Sequence, residues 1–345
     1  MAEVQAGPPS AAEIPDVPLL QALGNRRSIR YFDEAKTVED WKIESMLQAA
    51  RFASCQGNIN CTEAIVVRKD ECELWDELEE CVSGFNVQII DQCSHLILWL
   101  TNLNAWYGRA VDGISTVSLA GGTTKYHGWN YEFSMTQTIP RLMSFPTERT
   151  EILLRFESGQ AVANAITAGV GLGLGNILVA FGRKPGGVEK AFGLPPHYRF
   201  TWGHAIGYPL ESPDAGGQRP RLKFDRLFHD NAFGRPYASD PAAVELLREK
   251  GLLQDQAPLA GRFEEIVDIA ERHGRDPGLL HFPAREIQRL LDDDDWDLGP
   301  RIRQHAENVL ATEDLPDYPD EMRETFKHLM EEHGIDASKF LPADG

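Results

Sequence analysis

The sequence predicts an α+β fold followed by an acidic, mostly helical C-terminal extension, and three observations predict it. Between residues 19 and 235, segments with apolar side chains at helical spacing alternate with short β-branched runs of the kind that form buried strands. The stretch Glu211-Ser-Pro-Asp-Ala-Gly-Gly-Gln-Arg-Pro220 and then Gly234-Arg-Pro236 disfavour regular structure. Charge changes at the same place: residues 236–345 hold 26 acidic and 12 basic side chains, net -14, whereas residues 1–235 hold 27 and 22, net -5. The expected divisions are 1–18, 19–235 and 236–345.

Residues 1–18 are rich in Ala, Pro and Glu and lack the basic and apolar regions of a secretory signal, so a flexible N-terminus is expected. Val38 to Ala53 reads as a helix, with Thr37 as N-cap and Asp40 three residues on, and Val38, Trp41, Met46 and Ala50 on one face. Ala64 to Val67 and His95 to Thr101 suit buried strands, and Asp70 to Ser83 between them reads as an amphipathic helix. Glu151 to Leu172 is helical in period and runs into glycines at 169, 171, 173 and 175. Those glycines lack the spacing and the preceding strand of a dinucleotide-binding turn, and close packing of a helix end on a sheet accounts for them better. Phe200 to Tyr208 alternates as a strand and stops at Pro209.

Ala105 to Thr150 is a long connection rich in aromatics: Trp106, Tyr107, Tyr126, Trp129, Tyr131, Phe133 and Phe145. Loops longer than about 12–15 residues often cover active sites. These rings either stack on a planar substrate or form a satellite core, and the sequence leaves both open. Tyr107, Tyr126 and His127 are its candidate proton donors. In the extension, Val244 to Leu247, Phe263 to Ile269, Ile287 to Leu291 and Met322 to Met330 read as helices. Asp292 to Asp295 lacks the spaced ligands and glycine of a calcium loop, so a solvated charge run is expected and no metal site.

Composition limits the function. The chain has 345 residues, a net charge of -19 and 42% hydrophobic residues, which fits a soluble globular protein. It has no Lys/Arg run to neutralise phosphates, which argues against nucleic acid. No apolar stretch approaches the roughly 20 residues of a membrane span. The five cysteines, Cys55, Cys61, Cys72, Cys81 and Cys93, contain no C-x-x-C pair. They are expected to be small buried or half-buried hydrophobes of a cytoplasmic protein.

Gly24-Asn-Arg-Arg-Ser-Ile-Arg-Tyr-Phe-Asp33 carries the strongest chemical signal. Three arginines and a serine within five residues make an anion receptor, because guanidinium groups bond phosphate oxygens in pairs and the hydroxyl adds a donor. Arg219-Pro-Arg-Leu222 offers a second basic pair.

With this segment the sequence resembles the FMN-dependent nitroreductase superfamily. The resemblance covers about residues 20–235. It rests on Arg26, Arg27, Ser28, Arg30 and Phe32, then Ser54-Cys-Gln-Gly-Asn58, Phe85-Asn86 before Ser94-His95, and Glu157 to Asn164 with Gly171-Leu-Gly173. It closes with Ile206-Gly-Tyr-Pro209 and Arg219 to Leu222. It implies a mixed central sheet flanked by helices, and a homodimer holding FMN in two interfacial clefts. Arg26, Arg27, Ser28, Arg219 and Arg221 would hold the phosphate and ribityl chain, and Arg30 would stabilise the reduced ring near its N1. Asn86 would bond the pyrimidine edge. Ser54, Cys55 and Gln56 would come from the partner, Asn58 of the same flavin-edge loop would also bind the cofactor, and the backbone of Val179, Ala180 and Phe181 would approach N5. Two departures point to a specialised role: Asn58-Ile-Asn-Cys-Thr62 replaces the common Asn-x-Gln-Pro-Trp, and Ile89 stands where relatives have a lysine.

The function implied is an oxidoreductase in which FMN exchanges a hydride with a small organic, planar or heterocyclic substrate, with NAD(P)H as electron donor. One alternative is a dehydrogenase or reductase tailoring a natural product or peptide. Another is a flavin-type fold kept as an interaction module without turnover.

Overall fold

The computed structural model describes residues 17–127, 130–212, 216–274, 284–312 and 320–336. Residues 1–16, expected to be flexible, and Trp129 lie outside the described residues. The chain divides into two compact units, Met1–Ala215 with Val244–Gln254, and Gly216–Ala243 with Asp255–Gly345.

The first unit is built on four strands, β1 (Thr62–Val67), β2 (His95–Asn102), β3 (Gly175–Val179) and β4 (Tyr198–Gly207), in the order β1-β2-β4-β3. These neighbours pair antiparallel, and the parallel component of the sheet is a bridge from Ser28 to Asn176 on β3. Every residue of the central strand β2 is buried. Leu96 and Leu98 join one core with Phe32, Leu78, Ile90 and Val179, while Ile97 and Trp99 join another with Ile43, Met46, Ala161 and Ile206. Covered on both faces, the strand reads in sequence as an unbroken apolar run.

Helices α1 (Leu19–Asn25), α2 (Asp40–Arg51), α3 (Trp75–Cys81), α4 (Ala105–Leu119) and α5 (Thr147–Gly171) surround the sheet. The long helix α5 buries Leu154, Ala161, Val162, Ala165 and Gly169, small side chains that allow close approach. A Cβ at Gly169 would lie 2.7 Å from Asn176 Oδ1 and 3.0 Å from Met46 Cε. Close packing therefore explains the glycine at this helix end, as expected.

Several elements differ from the sequence reading. Helix α2 begins at Asp40, and Thr37 caps nothing, because the Val38 amide donates to Ser94 Oγ at 2.8 Å and Val38 is buried in the core. The helix expected over residues 70–83 shortens to α3, preceded by a 3-10 turn over Lys69–Glu71 and an extended Cys72. The connection after β2 is largely helical: α4 is followed by short helical turns over Tyr131–Phe133, Ser134–Thr138 and Ile139–Met143. Trp106, Ala110 and Ile114, at helical spacing, bury against Ile59 and Leu154. The aromatic content of the segment hid that period.

In the second unit, β5 (Arg221–Leu222) pairs with β6 (Trp296–Asp297). After α6 (Pro241–Glu249), which crosses the boundary between the units, come α7 (Arg262–Arg272), α8 (Ala284–Asp292), α9 (Pro300–Thr312) and α10 (Asp320–Glu332). Helix α9, with alternating charged and apolar residues, is one the sequence reading passed over. The aspartate run is used for ion pairs, Asp294 with Lys223 and Asp295 with Arg226 at 2.5 Å. Among the described residues no acidic, His or Cys group is arranged to hold a metal ion.

Candidate functional site

The predicted cofactor residues of the first unit gather in two places. The first is around β3. Ser28 bridges to Asn176, and the Ile29 amide donates to the Asn176 carbonyl at 3.2 Å, so the arginine segment runs beside this strand. At the end of β3 the Ser83 amide donates to the Ala180 carbonyl at 3.0 Å, and Ser83 Oγ accepts the Gly182 amide at 2.6 Å. The Asn86 amide in turn donates to the Ser83 carbonyl at 3.0 Å. Val179 is buried, and Ala180, Phe181 and Gly182 line a cavity of about 350 Å³ together with Phe200, Thr201 and Trp202.

The arginines of this segment differ in what they offer. Arg27 is buried and turned inward: Nη1 donates to the carbonyls of Gly24 at 2.5 Å and Arg26 at 3.0 Å, and Nη2 to Gln254 Oε1 at 2.8 Å. It ties α1 to the residues after α6. Arg26 is half-buried and caps α1. Arg30 is exposed, its Nη1 donating to the Ser28 carbonyl at 3.1 Å and its amide to Glu211 Oε1 at 2.6 Å. Ile89 is buried in the core. Arg219 and Arg221 belong to the second unit, where Arg219 Nη1 donates to the carbonyls of Gly216 and Gly217 at 3.3 Å.

The second place is a cleft of about 560 Å³ lined by Ser54, Cys55 and Asn58, with Cys61, Thr62 and Glu157. Its loop is conformationally unusual. Gly57, Asn58 and Asn60 have φ of 65°, 57° and 49°, the left-handed region that glycine and asparagine enter more readily than other residues. Asn58 Nδ2 donates to Thr116 Oγ1 at 3.0 Å, fastening the loop to α4.

Glu157 is the unexpected occupant of this cleft. It is buried on α5, its Oε1 accepts the Gln56 amide at 2.9 Å, and its Oε2 accepts the Cys61 thiol at 3.6 Å. Burial raises its pKa above the ordinary carboxylate value against the pull of those two donors. Burial and the neighbouring Glu157 charge push the Cys61 thiol up to about 12, so it stays protonated. Glu157 lies three residues from Leu154 and four from Ala161, on the apolar stripe of its helix. A carboxylate on a buried stripe was the signal that sequence reasoning missed.

A separate polar cluster closes the sheet beside the cleft. Glu63 Oε1 accepts from Arg109 Nη2 at 2.6 Å and from Tyr198 OH at 2.9 Å. Burial opposes its charge, but these bonds outweigh burial and hold its carboxyl below the ordinary value. The three candidate proton donors lie away from both cavities. Tyr107 and Tyr126 are exposed, Tyr126 under Lys125, and His127 Nδ1 accepts the Thr124 amide at 3.1 Å. Among the described residues all five cysteines are free, with Cys61, Cys81 and Cys93 buried.

Compared with known proteins, the chain matches the model of the nitroreductase family over residues 23–208, more than half its length. It belongs to that family and is a nitroreductase-type oxidoreductase. Part of the chain is similar in fold to three solved structures. A nitroreductase family protein from Streptococcus pneumoniae TIGR4 is 16% identical with a TM-score of 0.50, covering 62% of this chain and 100% of its own. A protein from Staphylococcus epidermidis, assigned as an NAD(P)H:FMN oxidoreductase, is 16% identical with a TM-score of 0.54, covering 63% and 97%. One from Exiguobacterium sibiricum, assigned as a nitroreductase and in complex with FMN, is 17% identical with a TM-score of 0.52, covering 63% and 99%. No curated protein sequence matches the chain. No helix among the described residues is long and apolar enough to cross a membrane.

Proposed function

We propose that this protein is an FMN-dependent two-electron oxidoreductase that acts on a small organic substrate, with NAD(P)H as donor. The observation that carries the reading is the convergence on β3 of Ser28 with Arg30, of Asn86, and of Ala180 to Phe181, three separate segments of the chain. The donor set fits an FMN: an exposed guanidinium at Arg30, a half-buried amide at Asn86, and backbone groups at a strand end beside a cavity. When bound, the flavin supplies a ring nitrogen that accepts and donates hydride. With the flavin bound, Arg30 would favour negative charge on the ring and Asn86 would hydrogen-bond its edge. Arg26 and Ser28 are the proposed phosphate and ribityl ligands of this unit. Arg27, turned inward, acts by fixing the segment that carries them. The role given to Arg219 and Arg221 rests on the sequence resemblance.

A homodimer is part of the proposal. Helix α5 exposes Ile152 and Phe156, and Phe52 is exposed beside the cleft, an apolar set suited to a second copy. The proposed partner contribution is the loop of Ser54, Cys55, Gln56 and Asn58.

One purification tests the reading. Native mass spectrometry is expected to give two subunits and one FMN per subunit, with NAD(P)H bleaching the flavin absorbance. A protein that neither retains nor takes up FMN would refute it. Replacing Arg219 and Arg221 with Ala is expected to weaken FMN retention, and unchanged retention removes them from the ligand set.

A further inference from the structure

Between the two cavities of the first unit runs a file of hydrogen-bonding side chains. Thr62 Oγ1, in the wall of the cleft, donates to Ser158 Oγ at 3.1 Å. Ser158 Oγ is 2.9 Å from Thr101 Oγ1, and Thr101 Oγ1 is 2.9 Å from Thr201 Oγ1, which lines the second cavity. Ser158 and Thr101 are fully buried. At the cleft end Cys61 Sγ lies 3.9 Å from Ser158 Oγ and 3.6 Å from Glu157 Oε2. Thr62 and Thr101 face each other in the β1–β2 register, Thr101 follows Ile97 and Trp99 onto the face toward α5, and the register shift opposite Trp99 and Leu100 leaves Thr201 as the extra residue of β4. Three adjacent strands and one helix each give a hydroxyl where apolar packing would be the norm.

We propose that Glu157, Cys61, Ser158, Thr101 and Thr201 form a proton path from the cleft to the second cavity. Each hydroxyl and the thiol has one hydrogen and can also accept, so the file has two consistent polarities. With Glu157 protonated, its O–H donates to Cys61, Cys61 to Ser158, Ser158 to Thr101, Thr101 to Thr201, and Thr201 into the second cavity. With Glu157 ionised, every bond reverses and the thiol donates to the carboxylate. Passage of one proton converts the first polarity into the second, and water in the cleft reprotonates Glu157. The Thr62 hydroxyl donates to Ser158 in both. The thiol also has a resting acceptor, the Leu154 carbonyl at 3.5 Å.

Burial and two hydrogen bonds, rather than a neighbouring charge, set how readily Glu157 holds a proton. Arg51 at the end of α2 and Glu63 on β1 line the same cleft, and no ion pair reaches Glu157 among the described residues. Its bonds are the Gln56 amide and the Cys61 thiol. Burial makes protonation easier than for a surface carboxylate. The thiol, far from ionising at neutral pH, serves as a neutral link.

The purpose assigned to the path rests on the oxidoreductase reading above. Reducing an organic acceptor by two electrons takes one hydride, from the reduced cofactor, and one proton. The path supplies that proton at the cavity bounded by Ala180, Phe181 and Thr201, and Glu157 gives it up.

Infrared spectra of the full-length protein, titrated with pH, test the path without turnover. The Cys61 S–H band is identified by its loss in Cys61→Ala, and the Glu157 carboxyl band by its loss in Glu157→Gln. The S–H band is expected to shift in step with ionisation of the carboxyl, and to ignore pH in Glu157→Gln. An S–H band indifferent to ionisation of Glu157 overturns the path. In FMN-loaded protein, Thr101→Val is expected to slow reoxidation by the acceptor roughly 10²-fold, with the hydroxyl of Thr101→Ser restoring the rate. Equal rates in both variants and the wild type overturn the catalytic role. If the wild type binds no flavin, the functional proposal fails and the infrared result alone decides the path.

Discussion

Acidification from about pH 8 to about pH 5 is expected to cost the first unit roughly 4 kcal/mol, and two buried histidines account for it. His204 on β4 is fully buried, its Nε2 2.9 Å from Asn176 Oδ1, and Trp99 Nε1 donates to its Nδ1 at 3.5 Å. Asn176 Nδ2 donates to the Leu174 carbonyl at 2.9 Å, which turns Oδ1 toward the ring. The neutral ring with its hydrogen on Nε2 satisfies both neighbours, whereas a second hydrogen on Nδ1 would face an N–H donor. Burial holds its pKa down to about 3. His95 is buried beside Ser94 Oγ, and burial, with Arg68 as a smaller cause, holds it down to about 4. Both folded pKa values lie below the ordinary 6.5, so the unfolded chain binds more protons and the folded state loses stability as pH falls. At about pH 5 each unfolded ring is nearly fully protonated, a difference of about 1.5 pH units, or about 2 kcal/mol per histidine. Urea unfolding followed by tryptophan fluorescence reads this unit, since six of the seven tryptophans lie in it. In His204→Gln about half of the pH-dependent loss is expected to disappear, whatever the variant's own stability. A pH dependence unchanged in both His204→Gln and His95→Gln would refute the reasoning.

Trp106→Ala, at the centre of the core beneath α4, is expected to cost about 3–5 kcal/mol in the same urea assay. In Gly113→Ala the new Cβ would lie 2.4 Å from the Gly57 carbonyl oxygen and 2.7 Å from that of Asn58. A backbone cannot yield as a side chain does, so a loss of roughly 1–3 kcal/mol is expected in thermal unfolding. Thiol titration of the folded protein at about pH 8 is expected to leave Cys61 and Cys93 silent, since burial pushes both up to about 12, while half-exposed Cys55 and Cys72 react. Arg30→Ala is expected to weaken FMN retention in gel filtration without shifting the urea midpoint, because its side chain is exposed.

The strands and the long helix were legible in the sequence because their side chains answer to local period. β2 is apolar from Leu96 to Leu100 since both its faces are covered, and α5 carries small residues because the sheet is close. Helix ends were less legible. Val38 has a helical neighbourhood, yet its amide goes to Ser94, 56 residues away in sequence. Helix α4 was obscured because the aromatic residues of its segment suited a substrate lid and a satellite core equally, and its own Trp106 and Ile114 pack inward into a core.

The site divides in the same way. The arginines, the run from Ser54 to Asn58 and the family were readable because each is a short run of chemically distinctive residues. Sequence alone determined that the chain is an acidic α+β protein of the nitroreductase family with a local basic segment. Tertiary structure decided which of those arginines turns inward and which faces out. It also decided that Glu157 and Cys61 share a cleft, and that Thr62, Thr101, Ser158 and Thr201 touch. Strand register and helix packing join residues up to 100 positions apart, and no local pattern carries that distance, so a file of single hydroxyls becomes visible only once the chain is folded.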